Sequence, residues 1–317
     1  MVLADGSRID YECLILATGA RARAAPFPGA SLPRVLALRT CDDAERLKQS
    51  LKPHTRLVVV GGGYVGLEVA ASAVAIGADA VVVERESRLL ARVACPELSS
   101  FFLRYHSDHG IRFRLGQSVA SVRAAGLERL QVHLDSGEIE PADIVLVGVG
   151  AIPNQELAQA AGLACEDGLL VDAFARTEDP YIYGIGDCTQ RPLSLYARTG
   201  RLESVPNAIE QAKQAAASIC GRPAIPPEIP WFWSDQFDLK LQIAGLPFDV
   251  TEVVVRGDPD SNRFSVFHLN AERRIQAVEA VDSAPEFMMG RQLIAARRQV
   301  DVSRLRNPAI SIKEVAI

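Results

Sequence analysis

The sequence predicts an α/β protein built on a parallel sheet and followed by a smaller antiparallel domain. Leu57-Val58-Val59-Val60 and Ala80-Val81-Val82-Val83 are short, unbroken apolar runs, the pattern of strands buried on both faces. A glycine-rich turn and an alanine-rich helical stretch separate them, and strand–turn–helix–strand is the order of a right-handed βαβ unit. Beyond residue 230 the periodicity changes to alternating runs, which belong to antiparallel strands with one solvated face.

Taken in order, Tyr11-Glu12-Cys13-Leu14-Ile15-Leu16 leads into Ala17-Thr18-Gly19 and reads as a buried strand ending in a small-residue turn. Residues 42–51 read as a short helix, opened by Asp42 as a cap and closed before Pro53. The βαβ unit follows from Arg56, with its helix running to Ile76 and its second strand ending at Glu84. A helix is expected over 97–109 and strands over 119–122, 130–134 and 143–148. Ile182-Tyr183-Gly184-Ile185 forms a further strand that ends in Gly186-Asp187, and a helix covers 205–220. The proline-rich stretch 222–230 is a stiff linker. Strands at 239–243, 253–255, 264–269 and 275–281, with a closing helix at 285–299, complete the small third domain.

Composition narrows the partners. With 48% hydrophobic residues, 23% charged residues and a formal net charge of −5, there is no electrostatic reason to expect nucleic acid or an anionic membrane. No apolar run approaches the roughly 18 residues that span a bilayer, and the first residues lack a basic segment followed by an apolar one. The six cysteines (Cys13, Cys41, Cys95, Cys165, Cys188 and Cys220) are scattered without a C-x-x-C pair. Neither a disulfide framework nor a metal site is expected, and reduced thiols fit the cytoplasm. His106 and His109 share a helix face that reads as solvated.

The most informative motif is Gly61-Gly62-Gly63-Tyr64-Val65-Gly66, directly after a strand and at the start of a helix, with Glu84 closing the next strand. In such a turn Gly61 makes the tight bend, Gly63 lets the backbone approach a pyrophosphate, and Gly66 lets helix and strand pack closely. The helix N-terminus offers free N–H groups to the anion. Glu84 can accept both ribose hydroxyls and would repel a 2′-phosphate, which favours NADH over NADPH, although Arg85 and Arg88 lie close by. Glu68 either complements the helix dipole or accepts a hydrogen bond from the nicotinamide carboxamide. Gly148-Val149-Gly150-Ala151-Ile152-Pro153-Asn154 ends the last strand of this domain, where open α/β sheets present ligands, and brings Gly150 to the site.

Ala17-Thr18-Gly19 and the segment from Thr177 to Gly186-Asp187 flank the glycine-turn domain. Together they resemble the two chain segments that cross between the FAD and NAD domains of two-dinucleotide flavoprotein reductases. Glu203-Ser204-Val205-Pro206-Asn207-Ala208-Ile209-Glu210-Gln211-Ala212 and Pro230-Trp231-Phe232-Trp233-Ser234-Asp235-Gln236 narrow the resemblance to the FAD-dependent reductases that feed ferredoxins or rubredoxins, including the reductase components of aromatic-ring dioxygenases. The resemblance covers nearly the whole chain.

It implies an α/β two-dinucleotide-binding-domain flavoprotein with glutathione-reductase-like Rossmann domains and a small α+β C-terminal domain. The FAD domain would be discontinuous (1–50 and 168–228), the NAD domain would span 51–167, and the C-terminal domain 229–317. It further implies that FAD is touched by Thr18, Gly19, Arg21, Gly186, Asp187 and Val205, with Trp233 near the isoalloxazine ring. NADH would be the electron donor, a ferredoxin or rubredoxin the acceptor, and no side chain need act as general acid or base. Arg291, Arg297 and Arg298 could meet an acidic ferredoxin, or simply form a solvated helix face. The family opens with its own FAD-binding βαβ unit and places a hairpin like residues 2–10 well inside that domain. By that comparison roughly 80 residues would precede Met1 in a full-length relative, and this chain would hold FAD weakly. The alternatives are an NAD-binding fragment without chemistry, or an NADH oxidase or disulfide-reductase relative with its cysteine upstream.

Overall fold

The computed structural model describes residues 1–126 and 129–317. By packing the chain divides into two compact units, one of residues 1–21, 152–232 and 244–248, the other of residues 22–151, 233–243 and 249–317.

The larger unit holds a five-stranded parallel sheet in the order Val35–Ala37, Ile144–Val147, Arg56–Val60, Asp79–Glu84 and Arg112–Leu115. Its apolar runs are continuous because both faces are covered. Leu57, Val59, Ala80, Val82, Ile144 and Leu146 pack with Val69, Ala70 and Ala73 of the Tyr64–Ala75 helix. The alternate residues Val58, Val60, Val81, Val83, Val145 and Val147 pack with Val122, Leu130, Val132 and Leu134. Those last residues come from a three-stranded antiparallel sheet of Val119–Ala124, Leu130–Leu134 and Ile139–Ala142. Adjacent strand residues thus belong to opposite cores, as the period-2 geometry of a strand requires.

The first helix, Cys41–Ser50, starts one residue earlier than its sequence predicts, and its cap is Thr40, not Asp42. The Thr40 hydroxyl accepts from the Asp43 N–H, and the Asp43 carboxylate reaches back to the Thr40 N–H, a capping box that Asp42 has no counterpart for. The expected helix at 97–109 is Pro96–Asp108, but His106 is fully buried on it, contrary to the solvated face that its spacing implies. Its Nε2 pairs with Gln236 Oε1 at 2.7 Å, and Phe237 lies against its ring.

The alternating runs of the C-terminal region form a five-stranded sheet in the order Trp231–Gln236, Leu239–Gly245, Ile275–Val281, Arg263–Asn270 and Val250–Asp258. The tryptophan segment contributes a strand that periodicity alone does not announce. The Ala284–Ala296 helix follows. Arg291 lies near the Phe287 ring, and Arg298 donates to the Ile317 carbonyl.

In the smaller unit Leu14–Leu16 pairs in parallel with Ile182–Gly184. A four-stranded sheet takes the order Cys165–Glu166, Gly168–Leu170, Thr189–Leu193 and Arg198–Gly200, and the Val205–Ile219 helix follows. The opening residues make a short hairpin, with Val2 bridged to Arg8. Among the described residues no helix is long and apolar enough to cross a membrane.

Candidate functional site

The turn after the Arg56–Val60 strand is built by close backbone approaches. Gly61 has φ +109°, and a Cβ there would lie 2.4 Å from the Gly148 carbonyl oxygen. A Cβ on Gly66 would lie 2.2 Å from the Gly61 carbonyl oxygen. Gly63 differs, because a Cβ there would meet no protein atom within 4 Å. It caps the Tyr64–Ala75 helix without a side chain, so an anion can approach the helix N-terminus. Gly61, Gly62, Gly63 and Glu84 line a cleft of about 450 Å³ with Arg92 and Val149. Gly150, at φ +101°, follows Val149.

Glu84 is fixed by the turn itself: its Oε2 accepts from the Gly62 N–H at 2.6 Å and its Oε1 from the Glu86 N–H at 2.9 Å. The two neighbouring arginines have other engagements. Arg88 donates to the Ala91 and Ala94 carbonyls and to Ser99 Oγ, all at 2.7–2.8 Å. Arg85 is exposed and paired with Glu86 at 3.2 Å.

Within the motif, the Val65 side chain is exposed while the Tyr64 hydroxyl is buried, and burial holds that hydroxyl well above its ordinary pKa. Glu68 is the fifth residue of the helix, too far along for the dipole role that its sequence position allows. It is half-buried, and its Oε1 accepts from Ser234 Oγ at 2.5 Å. Burial raises its pKa, which the Ser234 hydrogen bond opposes. Gln236 Nε2 donates to Ser234 Oγ at 2.9 Å, so Glu68, Ser234, Gln236 and His106 form one polar chain.

The smaller unit carries Thr18, Gly19, Arg21, Gly186, Asp187 and Val205. Gly19 (φ +63°) and Gly186 (φ +76°) turn the chain just past the carboxyl ends of the paired strands. Asn154 holds Thr18 twice: the Thr18 hydroxyl donates to the Asn154 carbonyl at 2.6 Å, and Asn154 Nδ2 donates to the Thr18 carbonyl at 2.9 Å. Arg21 donates to Asn154 Oδ1 at 2.8 Å and pairs with Glu156 at 2.7 Å. Gln211 Oε1 accepts from the Gly186 N–H at 2.8 Å, which fixes the Gly186–Cys188 turn that carries Asp187. Val205, at 59% exposure, begins the helix that supplies Gln211. Trp233, 40% exposed, belongs to the other unit.

Residues 1–212 match the family model described as pyridine nucleotide-disulphide oxidoreductase, and residues 231–316 match the one described as reductase C-terminal. The chain belongs to the pyridine nucleotide-disulphide oxidoreductases. The match extends along the whole chain. A probable ferredoxin reductase of Castellaniella defragrans is 46% identical over 316 residues, which cover 99% of this chain and 77% of that protein. Putidaredoxin reductase of Pseudomonas putida is 38% identical, covering 99% and 76%. The reductase in a crystal structure of a covalent putidaredoxin reductase–putidaredoxin complex superposes with a TM-score of 0.95 at 38% identity, covering 99% of this chain and 76% of that one.

The family implies FAD and a nicotinamide nucleotide, and the residues present fit both. The open space beyond Gly63 suits a pyrophosphate, and the fixed Glu84 carboxylate faces the same cleft. The Gly186–Cys188 turn leaves the Asp187 side chain half-exposed. All six cysteines of this oxidoreductase are free. Sequence reasoning did not single out Asn154, Gln211 and Arg191 as supports of the second set, although the first two lie inside the motif segments quoted above. Arg191 is buried against Asn207, Glu210 and Gln214. A side chain that braces a segment distant in sequence leaves no periodicity to read. A third grouping was also missed: Cys95, His268 and Glu279 are buried together, with their ligating atoms within 4.8 Å of one another.

Proposed function

We propose that this chain is an electron-transfer reductase that takes electrons from NADH and passes them through FAD to a small ferredoxin or rubredoxin. The observation that carries the reading is the Gly61-to-Gly66 turn with Glu84 fixed in its cleft, in a chain matched almost end to end by proteins named as ferredoxin reductases. A bound flavin supplies the step between the paired electrons of a hydride and the single electrons that an iron centre accepts.

The protein's residues bind and orient. The N–H groups at Gly63 and the first helical turn meet the pyrophosphate, and Glu84 receives the ribose hydroxyls. With Arg88 bonded internally, the carboxylate dominates at that position and selects NADH. Glu68 accepts from the carboxamide, held in place by Ser234. Thr18, Gly19, Arg21, Gly186, Asp187 and Val205 contact FAD, and Trp233 lies beside its ring. Residues 51–167 act as the NAD domain, 1–50 with 168–228 as the FAD domain, and 229–317 as the C-terminal domain of a cytoplasmic protein.

The test is to purify the 317-residue chain, record its visible spectrum with FAD added, and add NADH and then an oxidised [2Fe–2S] ferredoxin without air. A flavin band that NADH bleaches and ferredoxin restores is the expected result, with NADPH much the poorer donor. Binding of NADH without any bleaching of added FAD would overturn the reading.

A further inference from the structure

We propose that Cys95, His268 and Glu279 form a buried binding site for a transition-metal dication of the zinc class. The three residues come from distant parts of the chain: the N-cap of the Pro96–Asp108 helix, the Arg263–Asn270 strand and the Ile275–Val281 strand. All lie in the larger unit, and their exposures are 7%, 4% and 2%.

Three features favour a metal over a plain polar cluster. The first is ligand chemistry, since a thiolate, an imidazole nitrogen and a carboxylate oxygen make a mixed set that zinc accepts. The second is geometry. His268 Nε2 lies 3.3 Å from Glu279 Oε2, yet it makes no aligned hydrogen bond with that oxygen or with any other group. Two atoms that approach without aiming at each other are what a common third atom between them produces. Ligand distances of about 2.0–2.2 Å in a tetrahedral site put imidazole nitrogen and carboxylate oxygen about 3.3 Å apart. The Cys95 thiol donates to the same oxygen at 2.9 Å, and Sγ would move out by about 0.7 Å to reach its own zinc distance.

The third feature is charge. One thiolate and one carboxylate balance a dication, so the bound site buries no net charge. The Cys95 thiol must lose its proton to solvent as the metal–sulfur bond forms. Burial and the neighbouring Glu279 carboxylate hold the free thiol well above its ordinary pKa, so the metal must displace that proton; Sγ already accepts from the Leu98 N–H at 3.4 Å. Water can complete the fourth position. Such a site would tie the Pro96–Asp108 helix to the C-terminal sheet.

The probe is Zn²⁺ alone, titrated into the full chain against a chelating dye, with the melting temperature as a second readout. Wild type should bind one tight equivalent and melt higher with zinc. Cys95→Ser and His268→Gln should each weaken binding at least about tenfold and lose the zinc-dependent rise in melting temperature. Co²⁺ should give a sulfur-to-metal charge-transfer band in wild type that Cys95→Ser lacks. Absence of a tight equivalent in folded wild type would overturn the proposal, a result that depends on no variant folding. Equal affinity in the folded Cys95→Ser variant would also overturn it, since the metal would then be held by the exposed thiols of Cys13, Cys41 or Cys220.

Discussion

At the scale of single residues, the glycines of the turn separate two requirements that the motif merges. Gly66 serves packing, because its missing Cβ is what lets the helix approach the Gly61 carbonyl. Gly66→Ala should therefore lower stability by about 1–3 kcal/mol, seen as a reduced urea midpoint. Gly63, where a Cβ would meet no protein atom, serves the ligand in the proposed function. Gly63→Ala should leave stability within about 1 kcal/mol while weakening NADH binding at least about tenfold, measured by fluorescence titration. A loss of stability with unchanged affinity would reverse that assignment. The glycines were legible in the sequence because backbone geometry demands their type at fixed offsets, Glu84 because an acidic residue closes the next strand, and Asp187 only through the family resemblance. Asn154 and Gln211 were not, since either would read as an ordinary polar residue until the segments that it bonds are folded beside it.

At the scale of elements, two helices bury groups that their patterns present as polar. On the Pro96–Asp108 helix, burial lowers the His106 pKa to about 4, below the roughly 6.5 of a free imidazole. Between those values the unfolded chain binds the proton and the folded chain does not, so stability falls as pH drops through this range. The shift corresponds to about 3 kcal/mol lost by pH 4. Denaturation at pH 7 and pH 4.5 should show most of that loss in wild type and a smaller one in His106→Gln; an equal loss would remove His106 from the account.

On the Val205–Ile219 helix, Glu210 pairs with buried Arg191 at 2.8 Å. Arg191→Met leaves that carboxylate buried without its cation and should cost about 3–5 kcal/mol, read as a lower melting temperature. Restoring much of it with a second change, Glu210→Gln, would assign the cost to the stranded charge. The positions of these helices were predictable from alternation and from Pro96 and Pro206 near their starts. What the strand at Trp231–Gln236 covers was not, because burial of His106 depends on Gln236, far along the chain.

At the scale of the whole molecule, stability should be unequally shared. Among the described residues the larger unit has two extended cores on the faces of its parallel sheet, whereas the smaller has clusters around Leu16 and Tyr183. Among the described residues the Leu14–Leu16 strand pairs only with Ile182–Gly184, and two-stranded pairs are marginal by themselves. Hydrogen exchange should be faster in peptides spanning these two strands than in those spanning Arg56–Val60 or Asp79–Glu84. Added FAD should slow it in the first set, because a ligand that binds only the folded state stabilises it. Uniform exchange along the chain, unchanged by FAD, would mean a single cooperative body that this nucleotide does not engage.

The two hydrogen bonds that Glu84 accepts from Gly62 and Glu86 also bear on how coenzyme choice could evolve. The group that would discriminate against a 2′-phosphate is the same group that braces the loop receiving the coenzyme. Replacing it with a side chain that has no acceptor would release the Gly62 amide before any new contact exists, so Glu84→Ala should weaken both coenzymes together instead of exchanging one for the other. A lineage moving from one coenzyme to the other would then need a compensating change in the turn first, which would make the proposed preference historically sticky even with a single carboxylate setting it.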